Sequence, residues 1–359
     1  MYKRINGHAH LLPYPEEIPA FMKEKEIFWV DDDRKCMRQK DWARPITAPS
    51  FFLNEKLEWM EANQIQHAVV LNLSQLYGNG LPDDCLEDVL RFQNDYNARI
   101  QQEHPSKFTC GFVVHAGYID WALQEIERCV EELGLQVLCL PTHYLSADGK
   151  WKGIFDPEIE PILELANHYQ LALEIHPYDG EKFIALENKA WRFHVVWMLA
   201  QCADAYHFYT LNNYYEQYPH IRVCFAHGGQ LTQVNYGRRV QAFDGRPDLF
   251  VGKERPKRAL GHPNIFFDTL VHDVLSLEMI IRRQGTTRQI MIGLDDPYPL
   301  GEMESEKQSS YPGKLLDLAV DAGVISEDVR AAIWYDNVLS WLSPSGTQKK
   351  QLINRIGLS

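Results

Sequence analysis

Short apolar runs alternate along the chain with longer stretches in which apolar residues recur every three or four positions. The short runs, read as strands, fall at 4–7, 68–73, 108–114, 136–140, 171–175, 222–226, 265–267 and 289–293. Helical patterns lie between them at 53–64, 85–103, 121–133, 157–169 and 275–284. In the stretch 121–133, Leu123, Ile126, Val130 and Leu133 repeat at helical spacing with charges between them. Strand and helix in regular alternation is the pattern of βα units. Eight such units predict an α/β fold closed as a (β/α)8 TIM barrel rather than an open sheet. A barrel of this kind needs about 250 residues, so a chain of 359 has room for additions within one domain over 1–359. Two segments fall outside the repeat. Residues 11–52, rich in Pro and charge, form an excursion after the first strand and are expected to make a small lid or insertion over the barrel mouth. Residues 311–359 read as a helical C-terminal tail, with Ser326 opening one helix ahead of Glu327 and Asp328.

Charge narrows the partners. The chain carries 49 acidic and 36 basic residues, for a formal net charge of −13. Nucleic acid is an unsuitable partner for such a surface, because phosphate contacts need clustered Lys and Arg. A small anionic substrate remains compatible, provided local arginines hold it. No run of about 18 uncharged apolar residues occurs, so no membrane span is expected. Residues 1–5 lead straight into polar sequence without an apolar signal core, and a cytoplasmic protein is expected. The seven cysteines, Cys36, Cys85, Cys110, Cys129, Cys139, Cys202 and Cys224, are scattered, odd in number and without a CxxC pair. Reduced thiols are the expectation.

Candidate chemistry collects at strand ends. His8 and His10 close the first strand, and residues two apart on a strand face the same side. Two imidazoles at that spacing can clasp one cation. His176 ends the fifth strand, His227 the sixth and Asp295 the eighth, at the end of a barrel where active sites are built. Taken singly, each histidine is as compatible with a satisfied structural role. Together, His8, His10, His176 and Asp295 form a ligand set suited to zinc or a similar divalent transition metal, with a position left for water. A metal held there acidifies water toward a pKa of about 7. Asp295 can also orient that water, and His227, beside the site and not a ligand, can move protons. Asp296 follows Asp295 on what alternation makes the opposite face, which predicts a solvated loop or a helix cap. Arg44, before Pro45 in the excursion, could grip a substrate carboxylate or lie on the surface. Arg238 and Arg239 carry the same ambiguity, and Trp191 could stack on a planar substrate or fill core.

These motifs resemble the amidohydrolase superfamily, and within it the decarboxylase branch, over about residues 4–342. His8-Ala9-His10 resembles the family's first metal motif, and His176-Pro177-Tyr178-Asp179 its His-Pro-Trp-Asp. Phe225-Ala226-His227-Gly228-Gly229 is similar to Phe-(Ala/Gly)-His-Gly-Gly-Gly. The run from Asp295 to Glu302 is similar to Asp-Tyr-Pro-Phe-Pro-Leu-Gly-Glu, and Asp268-Thr269-Leu270-Val271-His272-Asp273 also matches this branch. The resemblance implies zinc held by His8, His10, His176 and Asp295, no organic cofactor, and His227 as acid/base. It implies substrate contacts from Arg44, Lys40 and Trp191, and a homodimer in which Arg238 reaches the neighbouring site. The implied reaction is non-oxidative decarboxylation of a small carboxylated ring-cleavage product, as in tryptophan catabolism by a kynurenine-type route. The alternative is a metal-dependent hydrolase or hydratase acting on a related compound. The chain departs from the family at Gln230, Asp296 and Tyr178, and at the ends of strands three and four around His115 and His143.

Overall fold

Eight parallel strands form one sheet, each hydrogen-bonded to the next in chain order. The computed structural model describes residues 2–358 apart from 178–186, 188, 306, 308 and 344. The strands are β1 (Ile5–Ala9), β2 (His67–Val70), β3 (Phe108–Val113), β4 (Val137–Pro141), β5 (Ala172–His176), β6 (Arg222–Phe225), β7 (Ile265–Asp268) and β8 (Ile290–Met291). All eight are buried throughout their length, as expected of a parallel sheet covered by helices. The ring closes where β1 meets the segment after β8. Gly7 N–H donates to Ile292 O at 3.1 Å, Asp295 N–H to His8 O at 2.9 Å, and His10 N–H to Asp296 O at 2.8 Å. A side chain at Gly7 would place its Cβ 2.7 Å from the Ile292 carbonyl oxygen, so the seam requires glycine. The expected TIM barrel is the observed fold.

The strand ends differ from the pattern in an instructive way. β1 and β5 run on to include His8 and His176, because their inward residues are polar and do not read as part of an apolar run. β8 is only two residues long, since the chain bends toward the site soon after Met291. Helix Met198–Leu211 has no amphipathic signature; it is apolar on nearly all sides and is packed accordingly.

The excursion folds onto the barrel mouth with its own small core, in which Met22, Phe28, Met37 and Phe51 pack against Leu73, Leu76 and Tyr298. Inside it, strands Trp29–Val30, Cys36–Gln39 and Trp42–Pro45 make an antiparallel sheet. The last of these alternates, with Trp42 and Arg44 turned inward and Ala43 and Pro45 exposed. At the opposite end of the barrel, the C-terminal helices act as a plug. Asn337 Nδ2 donates to Ile290 O at 2.6 Å. Arg222, buried, donates to the carbonyls of Trp341, His220 and Gln170. Ser326 caps helix Glu327–Trp334 by accepting from Val329 N–H at 3.3 Å. All seven cysteines are unpaired thiols, and all but the half-buried Cys36 are buried. No helix among the described residues is long and apolar enough to cross a membrane.

His67, at the start of β2, gives the fold a pH dependence. It is sealed between Ser106 O at 3.1 Å and Thr109 Oγ1 at 2.9 Å. Burial pushes its pKa down to about 4, against the opposing pull of the Ser106 carbonyl. A depressed histidine means that the unfolded chain takes up the proton first. The stability tied to His67 is therefore complete above about pH 6.5 and drains away as pH falls toward 4. Denaturant titrations at pH 7 and pH 4.5 should show His67→Gln losing about 2 kcal/mol less than the wild type over that interval. Parallel pH dependence in the two proteins would contradict this.

Candidate metal centre

The structure brings the ligand-type atoms of His8, His10, His176 and Asp295 within 4.8 Å of one another, all in buried residues. His8 Nε2 and His10 Nε2 lie 3.1 Å apart. Asp295 Oδ1 stands 3.1 Å from His10 Nε2 and 3.6 Å from His8 Nε2. The His176 ring crosses those of His8 and His10 edge-on, with centroids 5.2 and 5.6 Å away. Each imidazole is oriented by a bond at its other nitrogen. His8 Nδ1 donates to Asp268 Oδ2 at 3.0 Å, His10 Nδ1 to Leu71 O at 3.2 Å, and His176 Nδ1 to Pro177 O at 2.9 Å. With Nδ1 committed as the donor, every Nε2 presents a lone pair to the shared centre. Three lone pairs and a carboxylate oxygen facing one point repel each other unless a proton or a metal cation lies between them. Among the described residues, His176 Nε2 and Asp295 Oδ1 are buried without a hydrogen-bond partner. This donor set of three nitrogens and one oxygen fits a divalent transition metal.

The electrostatics point the same way. Burial works against a charged His8, yet the hydrogen bond to Asp268 and the charge of Asp295 lift its pKa to about 9. Burial likewise acts against the Asp295 carboxylate, and the surrounding imidazoles overcome it and hold its pKa below the usual range. Burial lowers His10 and takes His176 far down. The centre thus attracts one positive charge while keeping most of its imidazoles neutral and able to ligate. Beneath it, Glu174 is fully buried beside Cys224, and burial raises its pKa to about 8.

His227 stands beside the cluster. Its ring stacks parallel to that of His8 with centroids 5.9 Å apart, and its Nε2 is 3.8 Å from Asp295 Oδ2. Burial brings its pKa down to about 4, so it is a neutral base. It is held there by a turn: His227 has φ +54 and Gly228 φ +63, and their N–H groups donate to Asp268 at 3.1 and 2.7 Å. A Cβ on Gly228 would lie 2.2 Å from Val271 Cγ1, so only glycine fits. Gln230, where the family has a third glycine, has φ −53. Ordinary helical backbone needs no glycine, and its amide bonds Ser276 Oγ at 2.9 Å.

Above the cluster opens a cavity of about 370 Å³ whose lining includes His176, His227, Asp295, Arg44, Trp191, His194 and Tyr298. The Arg44 guanidinium lies 5.4 Å from the Tyr298 ring centre and bonds His194, on which Trp191 stacks at 4.9 Å. Lys40 is exposed and does not line the cavity, because it sits in the turn between the strands ending at Gln39 and starting at Trp42, where strand alternation no longer directs side chains. Arg238 is exposed on helix Tyr236–Gly245 and is likewise absent from the lining. Its neighbour Arg239 is buried and bonds His207 and Thr210. Tyr178 lies outside the described residues. His115 and His143 bond Asn79 and Asp204, away from the cavity.

Asp296 corrects the expectation of a solvated loop or cap. It is fully buried and bonds both Lys56 and Asn6. Alternation of faces holds only for extended backbone, and Asp295 at φ +48 breaks it, so both aspartates turn into the protein. Asp268 is another residue that the pattern did not single out as part of the site, as are His194 and Tyr298 in the cavity wall. A carboxylate closing β7, at the same barrel end as the ligands, was the available signal for Asp268.

Asp268 is expected to matter through His8. Asp268→Asn puts an amide N–H where His8 Nδ1 or a backbone N–H needs an acceptor, which disturbs the tautomer. Zinc affinity, measured by competition with a chromogenic chelator, should fall about 10- to 100-fold. Unchanged affinity would show that the brace is dispensable.

No protein-family model matches the chain. The 2-amino-3-carboxymuconate-6-semialdehyde decarboxylase of Dictyostelium discoideum is 25% identical over 355 residues, which cover 94% of this chain and 91% of the relative. Among solved structures, 5-carboxyvanillate decarboxylase from Sphingomonas paucimobilis superimposes with a TM-score of 0.71 at 18% identity, covering 95% of this chain and 99% of that one. A dihydroxybenzoic acid decarboxylase from Polaromonas, solved with bound manganese and the inhibitor 2-nitroresorcinol, gives 0.66 at 15% identity, covering 95% and 97%. Across nearly its whole length the chain resembles the decarboxylases of the amidohydrolase superfamily.

Proposed function

We propose that this chain is a metal-dependent carboxy-lyase that removes CO2, without an oxidant, from 2-amino-3-carboxymuconate-6-semialdehyde or a close carboxylated relative. The observation that carries the reading is the convergence of three imidazole Nε2 atoms and the Asp295 carboxylate beside a cavity that also holds a neutral histidine and an arginine. The likeness to the Dictyostelium decarboxylase supports the substrate class. His8, His10, His176 and Asp295 would hold the cation, with zinc the expected ion. When bound, the cation supplies Lewis acidity next to the cavity.

The chain's own residues supply the rest. Arg44 holds a carboxylate and fixes the substrate's pose. His227 Nε2 accepts a proton from water as its oxygen adds to the conjugated double bond. The proton then passes to the carbon bearing the carboxylate, which becomes tetrahedral. The bond to CO2 breaks, its electron pair re-forms the double bond, and hydroxide departs. His227, reprotonated from solvent, returns a proton to that hydroxide as water. The sum is one proton taken up and one CO2 released, with no unstabilised vinyl anion on the path. In a homodimer, Arg238 would reach the neighbouring cavity and add a second cation for the substrate.

Zinc-loaded protein incubated with freshly generated 2-amino-3-carboxymuconate-6-semialdehyde should bleach its absorbance with one captured CO2 per molecule consumed. Bleaching without CO2 would indicate a hydratase or hydrolase and overturn the decarboxylase reading. His227→Ala should still bind zinc and lose about 10²- to 10⁴-fold in kcat. A near wild-type rate would remove His227 from the chemistry. Arg44→Met should lower kcat/KM by about 10- to 100-fold, the worth of a charge-assisted hydrogen bond, chiefly through KM.

A further inference from the structure

Lys56 lies on helix Leu53–Ala62 and is completely buried. Its Nζ bonds the Asp296 carboxylate and also reaches the Asp296 carbonyl oxygen at 3.3 Å. A pair of buried charges is an expensive way to fill space, and apolar residues of similar volume do it as well or better. What surrounds the pair suggests a purpose. Asp296 accepts a second side-chain bond from Asn6 Nδ2. Asn6 Oδ1 in turn accepts from His8 N–H at 3.1 Å and from Leu294 N–H at 3.2 Å. Asp296 O accepts from His10 N–H at 2.8 Å. These bonds tie β1, which carries His8 and His10, to the segment that carries Asp295, and Lys56 anchors the seam from a third element.

Asp295 itself is held at φ +48, a left-handed conformation that a non-glycine residue keeps only where its surroundings fix it. Its neighbours on both sides are the tied ones, Leu294 through Asn6 and Asp296 through Lys56, Asn6 and His10. Lys56 does not line the cavity, so it has no direct part in the chemistry.

We propose that Lys56 is a positioning residue for the metal centre: by clamping Asp296 it holds Asp295 in the conformation that turns Oδ1 toward His8 and His10. This rests on the reading of the four-residue cluster as a metal centre. It goes beyond that reading by placing the determinant of ligand geometry on a helix that contributes no ligand.

The test uses the full-length protein stripped of metal and titrated with cobalt(II), whose visible absorption reports ligand geometry without any turnover. Lys56→Met should weaken cobalt binding about 10- to 100-fold, the range for groups that orient ligands, and alter the visible band. Because Lys56→Met leaves Asp296 buried without its partner and can unfold the chain, Lys56→Met is also combined with Asp296→Asn. That pair removes both charges and keeps an acceptor for Asn6. Its thermal melting should return toward wild type while its cobalt affinity and band stay altered. If affinity and band recover together with melting, the ion pair is structural only and the proposal is overturned. Wild-type protein that binds no cobalt would overturn the metal-centre reading itself, and this inference with it.

Discussion

Three imidazole rings and a carboxylate oxygen converge at the floor of the cavity. Neutral rings and an ionised carboxylate so placed repel one another, and the same field that lifts the His8 pKa to about 9 shows that the cluster calls for one positive charge. The rest of the barrel is built to maintain it. Asp268, Leu71 O and Pro177 O fix the three rings. Asp268 also receives the N–H groups of His227 and Gly228, so one carboxylate sets both a candidate ligand and the proposed proton carrier. A metal cation placed there would supply that charge and be held by the same field.

The fold contributes rigidity and direction. Parallel strands deliver His8, His10 and His176 at their C-terminal ends, where backbone pairing with neighbours leaves the residues little freedom. Where the geometry exceeds what a strand can supply, the chain departs from regular conformation. Asp295 and His227 both have positive φ, and each is flanked by hydrogen bonds that leave no alternative. Such strain at a site is sustained because the surrounding network over-determines it. The excursion completes the cavity from above. Its small hairpin uses two-residue alternation to face Arg44 inward, which places a guanidinium on the wall of the cavity that His176, His227 and Asp295 also line.

Much of this was legible in the chain. Eight apolar runs in alternation with amphipathic stretches fix a barrel, because each unit buries one face against the next. His8, His10, His176 and Asp295 could be grouped because each follows a strand, and strand ends in a barrel share one rim. Gly228 is likewise readable in retrospect as the price of a tight turn behind His227. Asp296 was misjudged for a physical reason: alternation assumes extended backbone, and a single left-handed residue cancels it. Lys56 was invisible, since a lysine on a helix with charged neighbours reads as solvated and nothing local says that an aspartate 240 positions away will meet it.

The sequence by itself determined the barrel, the composition of the centre and the rim on which it sits, because periodicity and strand-end position are local properties that the chain carries in its spacing. Only the tertiary structure decided which nitrogen of each imidazole faces the centre, that Arg44 enters the cavity while Lys40 and Arg238 stay at the surface, and that Lys56, Asn6 and Asp296 lock the seam. Those outcomes depend on hydrogen bonds and ion pairs between segments far apart in the chain, and the energy of such contacts exists only once folding has removed water from between them.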